Sequence, residues 1–174
     1  MRLFPAPVGR KQAGLATALA AALAGCGGGD DAVPRTVDAD RYRFEAPQDW
    51  RVKREGRTVT AVAPGDDAAV SVTEFRLARS YRARLWPRVQ RELDRVAEAL
   101  ARRLGGAVEA RETLRTRTRP LRSYRFSGAR DDTRRIGFAL AGRREYQLLC
   151  RWSHDEPDDE ACERLFASFR LARG

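Results

Sequence analysis

The apolar residues of this chain change their period partway along, and that change bounds the folds open to it. Between residues 42 and 76 they alternate, as in half-buried strands. The segments are "YRFEAP" (Tyr42 to Pro47) with Trp50 to Arg54 as its continuation, "TVTAVAP" from Thr58 and "AAVSVTEFRL" from Ala68, with "PGDD" as punctuation. Then Trp86, Val89, Leu93, Val96, Leu100 and Leu104 recur at helical spacing. Pro87 suits a first turn and Gly105–Gly106 a stop, so the pattern predicts a helix over 87–104.

Alternation resumes from Ala107 in "AVEARETLRTR", "RSYRFSG", "RIGFALAG" and "YQLLCRW", with a hairpin turn near Gly142. Tyr124 and Phe126 share a face. Ile136, Phe138 and Leu140 share another, opposite small residues, and Tyr146, Leu148, Cys150 and Trp152 share a third. A second helix over about 158–168 carries Cys162, Leu165, Phe166 and Phe169 on one stripe. Cys150 and Cys162 thus lie on the buried sides of a strand and of the helix that follows it. They are read as a disulfide, the alternative being two separate buried thiols. No internal repeat and no second domain is visible.

Ahead of the folded part, Arg10 and Lys11 precede an uncharged run, Ala13 to Ala24, too short to span a membrane at roughly 20 residues. It has the length of a signal-peptide core. Leu23, Ala24, Gly25 and Cys26 match the bacterial lipobox pattern. Residues 1–25 are therefore expected to be a lipoprotein signal peptide, with Cys26 the lipidation site, carrying diacylglycerol on its sulfur and palmitate-type acylation. Two acyl chains anchor stably where one is marginal. The alternatives are an ordinary secretory signal with a chance cysteine, or a buried apolar helix. Residues 26–40, "CGGGDDAVPRTVDAD", are expected to be a flexible tether because Gly and Asp dominate and large apolar residues are few. Residues 41–174 are then one domain, held at the outer face of the cell membrane.

The chain carries a formal charge of +10, or +7 once Arg2, Arg10 and Lys11 leave with the signal. Only Lys11 and Lys53 are lysines, a skew that reads as GC-rich codon usage. Export and the absence of zinc-finger or RNP spacing argue against nucleic acid. On the long helix, Arg84, Arg88, Arg91, Arg95 and Arg102 fall near one line opposite the apolar stripe. Glu98 interrupts that line, and Glu92 and Asp94 flank it with i,i+3 and i,i+4 partners in reach. The line is a solvated face or a contact for anionic lipid or wall polymer, at roughly 1 kcal/mol per basic residue.

"SHDEPDDE" holds the only histidine, His154. Ser153, His154 and Asp155 spell a triad but cannot converge as chain neighbours. Asp155, Glu156, Asp158, Asp159 and Glu160 match no calcium loop and suit a helix N-terminus instead. No catalytic residue, metal or cofactor is expected.

The order β-β-β-α-β-β-β-α, the opening "YRFEAPQDW" and the ending "CERLFASFRL", with Ser168 and Phe169, resemble the PsbP-like family over about residues 42–171. The resemblance implies an α+β fold, an α/β/α sandwich with an antiparallel sheet of about six strands and two main helices, in a small lipoprotein of the high-GC Gram-positive type. It carries no shared catalytic set. It implies a non-enzymatic accessory or binding module for a cell-envelope protein or anionic polymer, with a small-ligand or apolar carrier as the alternative.

Overall fold

The computed structural model describes residues 34–115, 119–128, 132–153 and 159–172. Cys26, the signal segment and the start of the tether lie outside these residues, as do His154 to Asp158. The strands are β1 (Pro34–Asp38), β2 (Tyr42–Pro47), β3 (Arg51–Glu55), β4 (Thr58–Val62) and β5 (Ala68–Arg76). A 3-10 turn (Ala83–Leu85) and helix α1 (Trp86–Leu104) follow. Then come β6 (Ala107–Arg115), β7 (Pro120–Ser127), β8 (Thr133–Ala141), β9 (Arg144–Trp152), helix α2 (Asp159–Ser168) and the short β10 (Arg170–Leu171). Seven strands form one sheet in the order β3-β4-β5-β9-β8-β7-β6, and β1-β2-β10 form a second. All the pairings are antiparallel.

Three expectations change here. The second half of the expected tether is ordered: Pro34–Asp38 pairs in register with β2, and Val37 is buried. One apolar residue facing in, with a free strand edge beside it, suffices where the average composition looks like a linker. Nor do Trp50 to Arg54 continue the first strand. The Trp50 N–H turns back to the Pro47 carbonyl at 3.3 Å, and the chain restarts as β3 in the other sheet. Four strands follow α1 where the expected order has three, so the large sheet has seven strands rather than about six.

The period-2 alternation sorts side chains onto two faces. Tyr124, Phe126, Ile136, Phe138 and Leu140 pack beneath α1 with Leu93, Ala97 and Ala101. Leu121, Ala139, Tyr146, Leu148 and Cys150 face the other way, with Cys162, Leu165, Phe166 and Phe169 of α2 and Tyr42, Phe44 and Ala46 of β2. The α1 interface is rotated from its sequence pattern: Val96 is 49% exposed, while the small Ala97 and Ala101 are buried beside Leu93. Alanine lets the helix backbone approach the aromatic side chains of β7 and β8 closely. Gly105, at φ 75°, ends α1 in the left-handed conformation; its N–H reaches the Ala101 and Arg102 carbonyls, and the Gly106 N–H bonds the Ala101 carbonyl at 2.9 Å.

On the opposite face, the small residues of β8 receive the aromatic side chains of α2. A side chain on Gly137 would run into the Phe166 ring. The Cys150–Cys162 disulfide ties α2 to β9, with the Cα atoms 5.6 Å apart across a sequence separation of 12. The Ser168 hydroxyl bonds the Arg164 carbonyl at 2.6 Å and accepts the Glu45 N–H at 2.8 Å, so the end of α2 is joined to β2. Phe169 completes a cluster with Tyr42 and Tyr146, the three ring centroids 5.5–6.0 Å apart.

Gly137→Ala is expected to cost about 2 kcal/mol by overpacking. In denaturant titrations the Gly137→Ala/Phe166→Leu double variant will lose less than the two single changes summed; strict additivity would show that the ring does not rest on Gly137. Replacing both Cys150 and Cys162 by Ser removes a short loop closure and is expected to cost about 3 kcal/mol, near 10 °C in Tm. Thermal melts under oxidising conditions measure that loss, and addition of reductant will bring the wild type down to the level of the variant.

Candidate functional site

The arginines divide by environment. Arg122 points from β7 toward α1 with its side chain 9% exposed. Its Nε and Nη2 donate to Asp94 Oδ1 at 3.0 and 2.9 Å, and Nη1 donates to the Thr113 hydroxyl at 3.0 Å. The Tyr124 hydroxyl donates to the same Asp94 oxygen at 2.6 Å. Burial raises the Asp94 pKa, but the hydrogen bonds from Tyr124 and Arg122 and the Arg122 charge outweigh it and hold the carboxyl below its ordinary value. Burial first, then the bond to Asp94, pushes Tyr124 well above the ordinary tyrosine range, so its hydroxyl stays a donor.

Arg135 is the counterpart on the α2 face, with its side chain 4% exposed. Its Nε donates to the Ser123 hydroxyl at 2.8 Å, its Nη1 pairs with Glu163 of α2, and its Nη2 lies 3.4 Å from Glu112 of β6. The guanidinium carbon sits 4.2 Å from the Phe166 ring centroid. Each cluster joins a helix to the sheet, and each places its donors against acceptors already in the fold.

The arginine line of the sequence is placed on exposed surface: Arg88, Arg91, Arg95 and Arg102 on α1, and Arg84 in the 3-10 turn ahead of it, off the helical register. Arg95 pairs with Glu92 at 2.8 Å. Asp94 and Glu98 do not serve the line but reach across to Arg122 and Arg111 on the sheet. Of the acidic segment, Asp159 and Glu160 occupy the first turn of α2, and Glu160 pairs with Arg164. The Ser153 N–H bonds the Asp67 carbonyl at 3.0 Å. Among the described residues no three His, Cys, Asp or Glu side chains gather into a metal-binding group.

A denser concentration of charge lies elsewhere. Between the two sheets, at the β1–β2 turn, is a cleft of about 560 Å³ lined by Arg41, Arg54, Arg57, Arg76, Arg143 and Arg144. Asp40 and Glu74 are the acids in its wall, with Tyr42 and Val59 at its apolar side. Glu74 is paired with Arg144. The Tyr42 hydroxyl donates to the Val72 carbonyl at 3.0 Å; burial, then the Glu74 charge, pushes its pKa up to about 12. These arginines come from four separate segments, so no sequence spacing announces them. The one cue is a recurring arginine at strand ends, beside Gly56 and Gly142.

The structure has a solved neighbour of matching size. It superposes on the solution structure of cyanobacterial PsbP (CyanoP) from Synechocystis sp. PCC 6803 with a TM-score of 0.59 and 12% identity, over 86% of this chain and 99% of that one. A crystal structure from Bacteroides thetaiotaomicron aligns at a TM-score of 0.42 and 10% identity, over 76% of this chain and 45% of that one. No protein-family model and no curated protein matches the chain. The fold is PsbP-like, in the α+β class.

Replacing Asp94 by Asn leaves the Arg122 guanidinium short of its counter-charge. With Asp94 about one-third exposed, a loss of about 2 kcal/mol at pH 7 is expected, below the range for fully buried pairs. Because the folded pKa is lowered, the Asp94 contribution is complete above the unfolded value near 4 and fades as pH falls toward the folded value. The stability gap between wild type and Asp94→Asn will therefore close on acidification in urea titrations from pH 7 to pH 3. A gap constant with pH would place the effect in packing alone.

Proposed function

We propose that the chain is a lipid-anchored, extracytoplasmic accessory module of the cell envelope, of the high-GC Gram-positive type, whose domain docks on a larger envelope component and does not turn over a substrate. The anchoring rests on the order of features around Cys26: basic start, uncharged run, small residues, cysteine. The disulfide supports an oxidising compartment, since such bonds persist outside the reducing cytosol. No helix among the described residues is long and apolar enough to cross a membrane.

The observation that carries docking over carriage is the occupation of both faces of the large sheet. Aromatic and aliphatic side chains fill the space beneath α1 and beneath α2, and the cleft between the sheets is charged. An apolar cargo needs a hollow lined by apolar side chains. Replacing Cys26 by Ala is expected to move the protein from the membrane fraction to the soluble fraction and to abolish incorporation of an alkyne-tagged palmitate. Membrane retention of that variant after a salt wash would overturn the anchor. Photo-cross-linking in native membranes, read by mass spectrometry, tests docking. A recurrent partner supports it, and bound lipid co-purifying with the wild type would favour the carrier.

A further inference from the structure

We propose that the cleft between the two sheets is a binding site for a multiply charged phosphoryl group. Its six arginines face two acids, and Glu74 is already committed to Arg144. Arg41, Arg57 and Arg76 are exposed and pair with no carboxylate among the described residues. Codon usage explains many arginines but not their convergence. Along α1 the same residue type is interleaved with acids, whereas here guanidinium groups from four segments open onto one cavity. Convergent like charges repel, and an anion in the cleft reverses that cost.

The frame of the cleft is fixed. The Arg41 carbonyl accepts the Ala172 N–H at 2.8 Å, the Arg57 carbonyl accepts the Glu74 N–H at 3.0 Å, and the Arg143 carbonyl accepts the Leu77 N–H at 2.9 Å. Two guanidinium groups are oriented as well: Arg54 Nη2 donates to the Asp38 carbonyl at 2.8 Å, and Arg143 Nη2 to the Ala78 carbonyl at 3.1 Å. Each of these bonds uses one N–H of five and leaves the rest for a ligand. Guanidinium forks match the paired oxygens of phosphate, and a dianion or trianion balances several of them where one carboxylate balances one. The phosphoryl group has two candidate sources, a soluble phosphate monoester or pyrophosphate and the phosphomonoester headgroup of an anionic phospholipid.

The test uses the full chain in a neutral maltoside detergent at 0.1 M salt, with calorimetric titration of three probes: inorganic pyrophosphate, dihexanoylphosphatidic acid and citrate. Saturable one-site binding of pyrophosphate or the short-chain lipid is expected, at least tenfold tighter than citrate. The stronger of the two identifies the source. Arg41→Gln/Arg57→Gln/Arg76→Gln, which touches no ion pair of the fold, is expected to weaken that binding at least tenfold with Tm unchanged. Arg103→Gln/Arg115→Gln/Arg151→Gln removes the same charge from exposed sites elsewhere and is expected to stay within twofold of wild type. Equal loss in both variants, citrate binding as tightly as phosphate, or no saturable binding of any probe would each overturn the proposal.

Discussion

The seating of α2 on the small residues of β8 and beside β9 is the constraint on which the rest of the domain depends. Phe166 rests where Gly137 has no side chain, Cys162 is bonded to Cys150, and Glu163 reaches the buried Arg135. The chain then passes directly from α2 into β10, which pairs with β2, which in turn pairs with β1. The three-stranded sheet therefore inherits its position from the helix. So does the cleft, because one of its walls is the β1–β2 turn and the others belong to the large sheet. A shift of α2 along β9 would change the spacing between the arginines of the two sheets.

An arginine-rich chain risks burying guanidinium groups it cannot satisfy. Here Arg122 and Arg135 are buried with carboxylates on partner elements, and each gains hydroxyl acceptors as well. Such pairs add less net stability than their Coulomb attraction implies, since both ions lose water. They do fix register. Asp94 meets Arg122 and Tyr124 only if α1 lies at one translation over β7, and Glu163 meets Arg135 only if α2 is in place. Apolar packing brings the helices to the sheet, and the two ionic clusters select among the ways they can lie there.

This division explains what the sequence revealed. Period and punctuation are local, so α1, α2 and the faces of β7, β8 and β9 were legible to within a residue or two, and the cysteines could be matched because both lie on buried stripes. The closing Ser168–Phe169 pair was legible as a pattern, and the structure gives its reason: one residue bonds β2 and the next fills the aromatic cluster. What depends on partners was not legible. Val37 becomes a strand residue only because β2 offers an edge, and Ala97 outranks Val96 at the α1 interface because large side chains already fill the facing strands. Asp94 reads as a helix-surface acid until β7 supplies Arg122. The cleft was hidden most completely, since its arginines come from four segments separated in sequence.

The two basic surfaces differ in a way that decides which can be selective. On α1 the arginines are exposed, and one is paired to a neighbouring acid. Their attraction for an anion is the long-range, salt-screened kind, which falls off within about 10 Å at 0.1 M salt. In the cleft, backbone bonds hold the arginine-bearing segments, and Val59 and Tyr42 exclude part of the solvent from one side. Less ordering entropy is lost when a ligand arrives at Arg54 and Arg143, already oriented by the Asp38 and Ala78 carbonyls, and contacts beside Val59 and Tyr42 act in a less watery medium. Net charge draws anions to the whole surface. Discrimination among them requires fixed donors, and within the described structure the cleft is where fixed donors and excess positive charge coincide.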